Sequence, residues 1–157
     1  MTCRERLEQM FRNAQVAYRV TPHPPAFTAQ EIAAAEHVSG YEVAKVVMAL
    51  ADDRLVMLVL PAPYRVDLVR LKQQLGAAAV RLAHEREFAN VFPDCEVGAM
   101  PPFGNLYNIP VYVDRALTAD REITFNAGSH RETMTVAYAD FERLAQPTVL
   151  EFARGPR

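Results

Sequence analysis

Two neighbouring apolar runs constrain the fold of this chain more than any other feature of its sequence. Residues 43–50 read VAKVVMAL and residues 54–62 read RLVMLVLPA, and both are rich in aliphatic and β-branched side chains. Runs of this length and composition indicate strands that are buried on both faces. Because a short polar turn containing Asp52 and Asp53 separates them, we expect a buried β-hairpin.

The sequence around this hairpin mixes helices with further strands. Helical spacing of apolar residues predicts a helix at 4–15, and Thr28 with Glu31 forms a capping-box pattern for a helix to about residue 37. Asp67 and Gly76 are placed to cap a third helix, which lies between them. The other expected elements are strands at 17–20, 79–83, 109–114, 122–127 and 131–138 and helices at 85–92 and 139–145. This order predicts one mixed α+β domain over residues 1–157 rather than a doubly wound parallel sheet.

Composition excludes several classes of protein. A chain of 157 residues is long enough for one well-packed domain, and no apolar run approaches the roughly 20 residues of a membrane span. A net charge of −2 disfavours extensive binding of duplex nucleic acid. The first residues lack a signal-peptide core, and Cys3 and Cys95 stand alone without CxxC spacing. We therefore expect a cytoplasmic protein without membrane contacts.

Lys45 is unusual for its residue type and its position. Of the 17 basic residues only Lys45 and Lys72 are lysines, and Lys45 lies within an apolar strand. One interpretation is that its stem packs against the strand while its ammonium reaches water, which an arginine would also do. The other interpretation is that a compact point charge is required here to contact a phosphate or carboxylate.

The segment GAMPPFG at 98–104 must be a shaped loop. It combines Gly98 and Gly104 with Pro101 and Pro102, which cannot continue a helix or a central strand. Rigid backbone N–H groups in such a loop can stabilise negative charge on an ester oxygen. The alternative is a stiff connector between Phe92 and the strand at 109. The side chains of Met100 and Phe103 are interpreted as packing residues.

Among the remaining reactive side chains, His130 is the strongest candidate. It follows the turn at Gly128 and is either an acid–base or hydrogen-bonding group or an ordinary surface residue. Cys95 is flanked by acidic residues that raise a thiol pKa, so we expect it to be inert. The other histidines, His23, His37 and His84, lack metal-ligand spacing, and neither a G-x-S-x-G elbow nor a nucleotide-binding glycine motif is present.

Taken together, these segments resemble the YbaK/ProX family of free-standing aminoacyl-tRNA deacylases, which is related to the editing insertion of bacterial prolyl-tRNA synthetases. The resemblance extends from His23 to the final helix. Lys45 in EVAKVVMAL matches the lysine of the family, and Gly98 and Pro102 match its GxxxP loop, followed by the frequent Gly104. The segment NAGSH resembles the one in which several members carry a glycine and a site histidine.

The resemblance implies a largely antiparallel sheet or a partly closed barrel flanked by helices. It also implies hydrolysis of the ester that joins a wrong small amino acid, often Ala or Cys on a proline tRNA, to the tRNA 3′ end. In the family the loop backbone positions the aminoacyl carbonyl, the lysine anchors the terminal adenosine or its phosphate, and the terminal ribose hydroxyl helps to activate water. It assigns catalytic positions to Lys45, Gly98 and Pro102 and substrate contacts to Ala99, Met100, Pro101, Gly104, Gly128, His130 and Tyr18.

The expected partner is therefore the tRNA 3′ aminoacyl end, with an aminoacyl-tRNA synthetase as a further partner. No metal or cofactor is expected, and a monomer is the default state. Two alternatives remain open. The first is a non-catalytic module that binds an aminoacyl-tRNA end, an amino acid or a nucleotide, and the second is a structural interaction protein.

Overall fold

The structure is organised around the hairpin that the two apolar runs predict. It is a computed structural model and describes residues 2–22 and 42–155, so the helix expected from Thr28, together with His23 and His37, lies outside the described residues. The described helices are α1 (Cys3–Asn13), α2 (Leu68–Leu75), α3 (Glu85–Phe88) and α4 (Tyr138–Ala145). The described strands are β1 (Tyr18–Pro22), β2 (Ala44–Ala51), β3 (Arg54–Pro61), β4 (Arg65–Val66), β5 (Val80–Leu82), β6 (Val111–Asp114), β7 (Glu122–Asn126), β8 (Glu132–Ala137), β9 (Thr148–Leu150) and β10 (Ala153–Arg154).

The hairpin has the register and the turn that its sequence requires. β2 and β3 pair in antiparallel fashion from Ala44 opposite Pro61 to Ala51 opposite Arg54. Asp52 and Asp53 have φ angles of 49° and 66°, the left-handed pair that a two-residue type I′ turn needs. The predicted hairpin is confirmed.

Three open sheets are formed by the described strands. The largest has the order β5-β2-β3-β6-β9, in which the β3–β6 and β6–β9 pairs are parallel and the others antiparallel. The antiparallel sheet β1-β8-β7 is joined to it by a parallel bridge between Val43 and Thr124, and β4 pairs with β10. The predicted α+β fold with largely antiparallel pairing is confirmed, and the described strands do not close a barrel.

Apolar side chains cover both faces of the β2–β3 hairpin. The first core cluster, which includes Ala44, Met48, Phe103, Phe125 and Met134, lies between this hairpin, α1 and the β1-β8-β7 sheet. The second core cluster lies on the other face of the hairpin, where α2 and the C-terminal segment pack against it. It comprises Ala49, Val56, Leu58, Leu60, Leu71, Phe152 and Ala153. This two-sided burial explains why both strands are almost continuously apolar.

The helices begin and end at residues with the expected capping chemistry. The Asp67 carboxylate accepts hydrogen bonds from the N–H groups of Val69 and Arg70, and Gly76 ends α2 in the left-handed conformation. At α1, Thr2 and Glu5 form a reciprocal capping box. Within the described ranges no helix is both long and apolar enough to cross a bilayer.

The C-terminal segment contains structure that its sequence does not signal. β9 pairs with β6, and β10 pairs with β4, although the sequence predicted no helix or strand after residue 145. The carboxylate of Asp114, a residue that is 4% exposed, holds the segment in place. Its Oδ1 accepts hydrogen bonds from the N–H groups of Phe152 and Ala153 at 2.9 and 2.8 Å. Strands of two or three residues have no readable periodicity, so only the long-range pairing reveals them.

Asp120 offers a test of electrostatics that is independent of any activity. Burial, with repulsion from Glu42, raises the pKa of its carboxyl group to about 6. On unfolding, the pKa returns towards 3.8, so the native protein loses stability as the pH rises between these values. We expect Asp120→Asn to exceed the wild type in Tm by about 3 °C above about pH 6 and to match it below about pH 4.

The measurement is thermal unfolding of both proteins from about pH 4 to about pH 8, with Glu122→Gln, an exposed neighbour, as the control. A difference in Tm that does not change with pH would contradict the expectation.

Candidate functional site

Lys45 lies near the start of β2 with its side chain half-buried. Burial lowers the pKa of its ammonium group, and the positive charge of Arg65 lowers it further. Within the described part of the chain no carboxylate lies within 4 Å of this ammonium, since the ion pairs there involve other residues. A desolvated cation beside a second cation is an arrangement that suits an anionic ligand.

The strand pairing brings Lys45 near the turn that contains Gly128. Val43 and Thr124 form a parallel bridge, so Lys45 and Asn126 each lie two residues beyond it on strands that run in the same direction. Ala44 and Phe125 belong to the first core cluster, and because side chains alternate along a strand, Lys45 and Asn126 both point away from that cluster. Lys45 and the end of β7 therefore occupy the same side of the structure.

On this side the second sheet presents polar side chains, which we call the polar face: the buried Thr124, Thr133 and Thr135 and the half-buried Asn126. The hydroxyl groups of Thr124 and Thr135 are 2.9 Å apart and share a hydrogen bond. In contrast, Asn126 Oδ1 and Thr133 Oγ1 are buried and have no hydrogen-bond partner among the described residues. A buried polar atom without a partner costs about 1–3 kcal/mol, so each of these two atoms carries an uncompensated desolvation cost.

The Gly98 loop, residues 96–104, is held against the turn that follows β7. Glu96 N–H donates to Gly128 O at 2.8 Å, and Gly128 N–H donates to Ala99 O at 3.0 Å. Gly98 is exposed and has a φ of 87°, which favours glycine. Among the described residues its N–H is hydrogen-bonded only to the Met100 sulfur, at 3.3 Å, and a thioether is a weak acceptor.

The rest of the loop is anchored in the interior. Its buried residues are Ala99, Met100, Pro101, Pro102, Phe103 and Gly104. The Phe103 ring packs edge to face on Phe11, Phe125 and Phe141, with centroids 5.5–5.6 Å apart. A Cβ atom on Gly104 would lie 2.9 Å from Ile109 O, so glycine is required there. Met100 and Phe103 have the packing role that the sequence suggested, and the backbone around Gly98 remains accessible.

His130 supports the loop from inside. Its side chain is 7% exposed, and its Nε2 lies 3.2 Å from Val97 O. A Cβ atom on Gly98 would lie 3.7 Å from His130 Cε1. The interpretation of His130 as an ordinary surface residue is therefore wrong. The structure brings together four predicted site residues: Gly98, Ala99, Gly128 and His130.

Tyr18 lies apart from this group. It begins β1, its hydroxyl donates to Glu8 at 3.0 Å, and its ring packs on Phe11 with centroids 5.3 Å apart. These contacts connect Tyr18 to α1, and its assignment to substrate binding stays a prediction.

The two cysteines, which show no CxxC spacing in the sequence, meet in the fold. Their sulfur atoms lie 2.7 Å apart, although the residues are far apart in sequence. Both are free thiols. Within the described ranges, these cysteines included, no group of three or more histidine, cysteine or acidic residues is arranged to hold a metal ion.

Sequence reasoning missed three residues of this site, namely Arg65, Asn126 and Thr133. A signal for two of them was present, because polar and apolar residues alternate in ITFN and ETMTV. That alternation predicts one polar face, but it does not predict that the face is buried. Arg65 gave no signal, since its proximity to Lys45 depends on tertiary structure.

Comparisons with known proteins agree with this geometry. The family model described as the aminoacyl-tRNA editing domain matches residues 23–144. The multifunctional Ser/Thr-tRNA deacylase ProXp-y of Escherichia coli (strain K12) is 33% identical over 101 residues, which are 63% of this chain and 59% of that protein. A proline–tRNA ligase of Thiobacillus denitrificans is 29% identical over 138 residues, 87% of this chain and 23% of the ligase. The chain thus spans less than two thirds of these relatives.

A solved structure extends the likeness to nearly the full length. The crystal structure of a candidate trans-editing enzyme for prolyl-tRNA synthetase superposes with a TM-score of 0.84 and covers 99% of both chains. At 19% identity, this likeness shows that the two chains share a fold.

Proposed function

The chain belongs to the aminoacyl-tRNA editing domain family, and we propose that it acts in trans as a deacylase that hydrolyses the ester of a mischarged aminoacyl-tRNA. The observation that carries the proposal is the accessible Gly98 backbone, held beside His130 and against the turn that follows β7, the strand whose end lies on the same side as the half-buried Lys45. An aminoacyl ester is already activated, so a site can hydrolyse it by positioning and charge stabilisation without a nucleophilic side chain.

In the proposed reaction, water adds to the ester carbonyl carbon and the carbonyl oxygen becomes an oxyanion. Gly98 N–H stabilises this oxyanion by exchanging its weak contact with the Met100 sulfur for a charged acceptor. The bond to the tRNA oxygen then breaks, the departing oxygen takes a proton, and the products are a free amino acid and uncharged tRNA. His130 is a positioning residue in this scheme because it holds Val97, the neighbour of Gly98.

Lys45 and Arg65 are proposed to bind a phosphate near the tRNA 3′ end. Lys45 is the half-buried member of the pair and Arg65 the exposed one, and the two positive charges together attract an anion more strongly than either alone. The net charge of −2 fits a protein that accepts only the end of the tRNA. A synthetase as a source of further tRNA contacts, a monomeric state and a cytoplasmic location are parts of the same proposal.

The polar face suggests the class of amino acid. Thr133 Oγ1 and Asn126 Oδ1 are buried and lack a partner among the described residues, and the partner that we propose for them is the hydroxyl group of a small side chain. A site built to bind a hydroxyl group rejects analogues that lack it. The relative from Escherichia coli is named as a Ser/Thr-tRNA deacylase. We therefore propose seryl and threonyl esters as the preferred substrates, ahead of alanyl and cysteinyl esters.

The proposal is tested by a panel of tRNAs charged with Ser, Thr, Ala, Cys or Pro. We expect the purified protein to deacylate the seryl and threonyl esters fastest, and Thr133→Val to lower their hydrolysis by about 10-fold relative to alanyl-tRNA. Equal rates for all five esters would contradict the substrate assignment. Survival of every ester, also with a synthetase added, would contradict the deacylase and favour a module that only binds its ligand.

A further inference from the structure

A thiol pair at the base of the Gly98 loop has no role in the proposed hydrolysis. Cys3 is the first residue of α1, and Cys95 directly precedes the loop. The two sulfur atoms are 2.7 Å apart. The Cys95 thiol donates a hydrogen bond to the Cys3 sulfur, which lowers the pKa of Cys3.

The surroundings hold this pair in position. The Tyr107 hydroxyl lies 3.4 Å from the Cys95 sulfur and donates to Asp94 Oδ1 at 3.0 Å. A Cβ atom on Gly128 would lie 2.5 Å from the Cys3 Cβ, so Cys3 is seated directly on the turn that holds the Gly98 loop. The two thiols are therefore fixed near each other and near the proposed site.

A small reagent has a route to the thiols. A cavity of about 480 Å³ opens beside Cys3 and is lined by Cys3, Asp94, Gly128, Ser129 and neighbouring residues. Cys3 itself is 2% exposed, so the cavity and the half-buried Cys95 provide the access.

We propose that Cys3 and Cys95 are a redox modification site that takes a low-molecular-weight disulfide, such as oxidised glutathione, and converts it to two thiols. The Cys3 thiolate attacks one sulfur of the reagent, the sulfur–sulfur bond of the reagent breaks, one thiolate leaves, and Cys3 remains in a mixed disulfide with the other half of the reagent. Cys95 then attacks the Cys3 sulfur and displaces the second thiolate. The protein thiols are oxidised, the reagent is reduced, and the two protons pass to the two released thiols.

The bond joins the start of α1 to the base of the Gly98 loop. Bonded sulfur atoms are about 2.05 Å apart, so the pair must approach by less than about 1 Å and the fold is retained. The cross-link closes a loop that runs from residue 3 to residue 95, and a loop of that length raises stability substantially. We expect a rise in Tm of about 10 °C on oxidation.

The test uses the purified wild-type chain, which contains only these two cysteines. After incubation with oxidised glutathione, free thiols should fall from two to none per chain. Mass spectrometry should show the loss of two hydrogens, and Tm should rise. Dithiothreitol should reverse all three changes.

The variants Cys3→Ser and Cys95→Ser are the matched controls, and neither should gain Tm on oxidation. If Cys3→Ser fails to fold because Cys3 is buried, Cys95→Ser provides the control. A wild-type chain that carries two glutathione adducts, keeps both thiols, or forms disulfides only between chains would overturn the proposal. No tRNA enters this test, so its result is separate from that of the proposed hydrolysis.

Discussion

Replacing Lys45 by methionine is expected to lower kcat/KM for the preferred aminoacyl-tRNA by about 100-fold without unfolding the protein. A charged group that binds an anion contributes about 1.5–3 kcal/mol, which corresponds to roughly 10–150-fold. Methionine keeps most of the apolar stem, so the packing along β2 is preserved. Because burial lowers the pKa of the Lys45 ammonium, removing this charge should leave Tm unchanged or raise it.

The sequence offers a matched control for this variant. Lys72 is the only other lysine and is exposed on α2. Lys72→Met should therefore have the activity of the wild type. Steady-state deacylation measures the effect of each substitution on activity, and thermal unfolding measures its effect on stability. Full activity of Lys45→Met would remove Lys45 from the proposed mechanism.

Gly98→Ala is expected to lower kcat by at least about 100-fold, comparable to the loss of one oxyanion donor. With φ at 87°, an alanine at this position is strained whatever the free space. The new Cβ would make only ordinary contact with His130 at 3.7 Å, so the strain lies in the backbone. We expect the backbone to relieve this strain by rotating the peptide group of residue 98. The N–H of residue 98 then no longer points at the oxyanion.

A second glycine with a positive φ lies away from the site. Gly76 has a φ of 64° and ends α2, and nothing lies within 4 Å of a Cβ placed on it. Gly76→Ala should lose about 1 kcal/mol of unfolding free energy, as Gly98→Ala does, but keep its activity. Single-turnover deacylation with chemical denaturation of both variants makes the comparison. Equal activity of the two variants would contradict the role of Gly98.

The local features of this protein were predictable because short-range chemistry decides them. The hairpin of β2 and β3 follows from two apolar runs around an Asp-Asp turn, and α2 begins at Asp67 and ends at Gly76 as the capping rules require. The family was also recognisable from Lys45 and the loop from Gly98 to Gly104, and the match of the editing-domain model confirms it.

The candidate site was predictable only in part. Sequence alone singled out Lys45, Gly98 and His130, and the structure adds that His130 is buried and touches the loop. The sequence did not predict that Lys45 is desolvated beside Arg65. The proximity of the two residues depends on the packing of β2 against the segment that follows β3.

The sequence by itself determined the central hairpin, most helices and strands and the family, since each depends on neighbouring residues or on an ordered set of motifs. Only the tertiary structure decided that Cys3 meets Cys95, that a polar face is buried beside Lys45, and that Asp114 fastens the C-terminal strands. These three features depend on distances between residues remote in sequence. Such distances are set by the packing of the whole core, which no local pattern encodes.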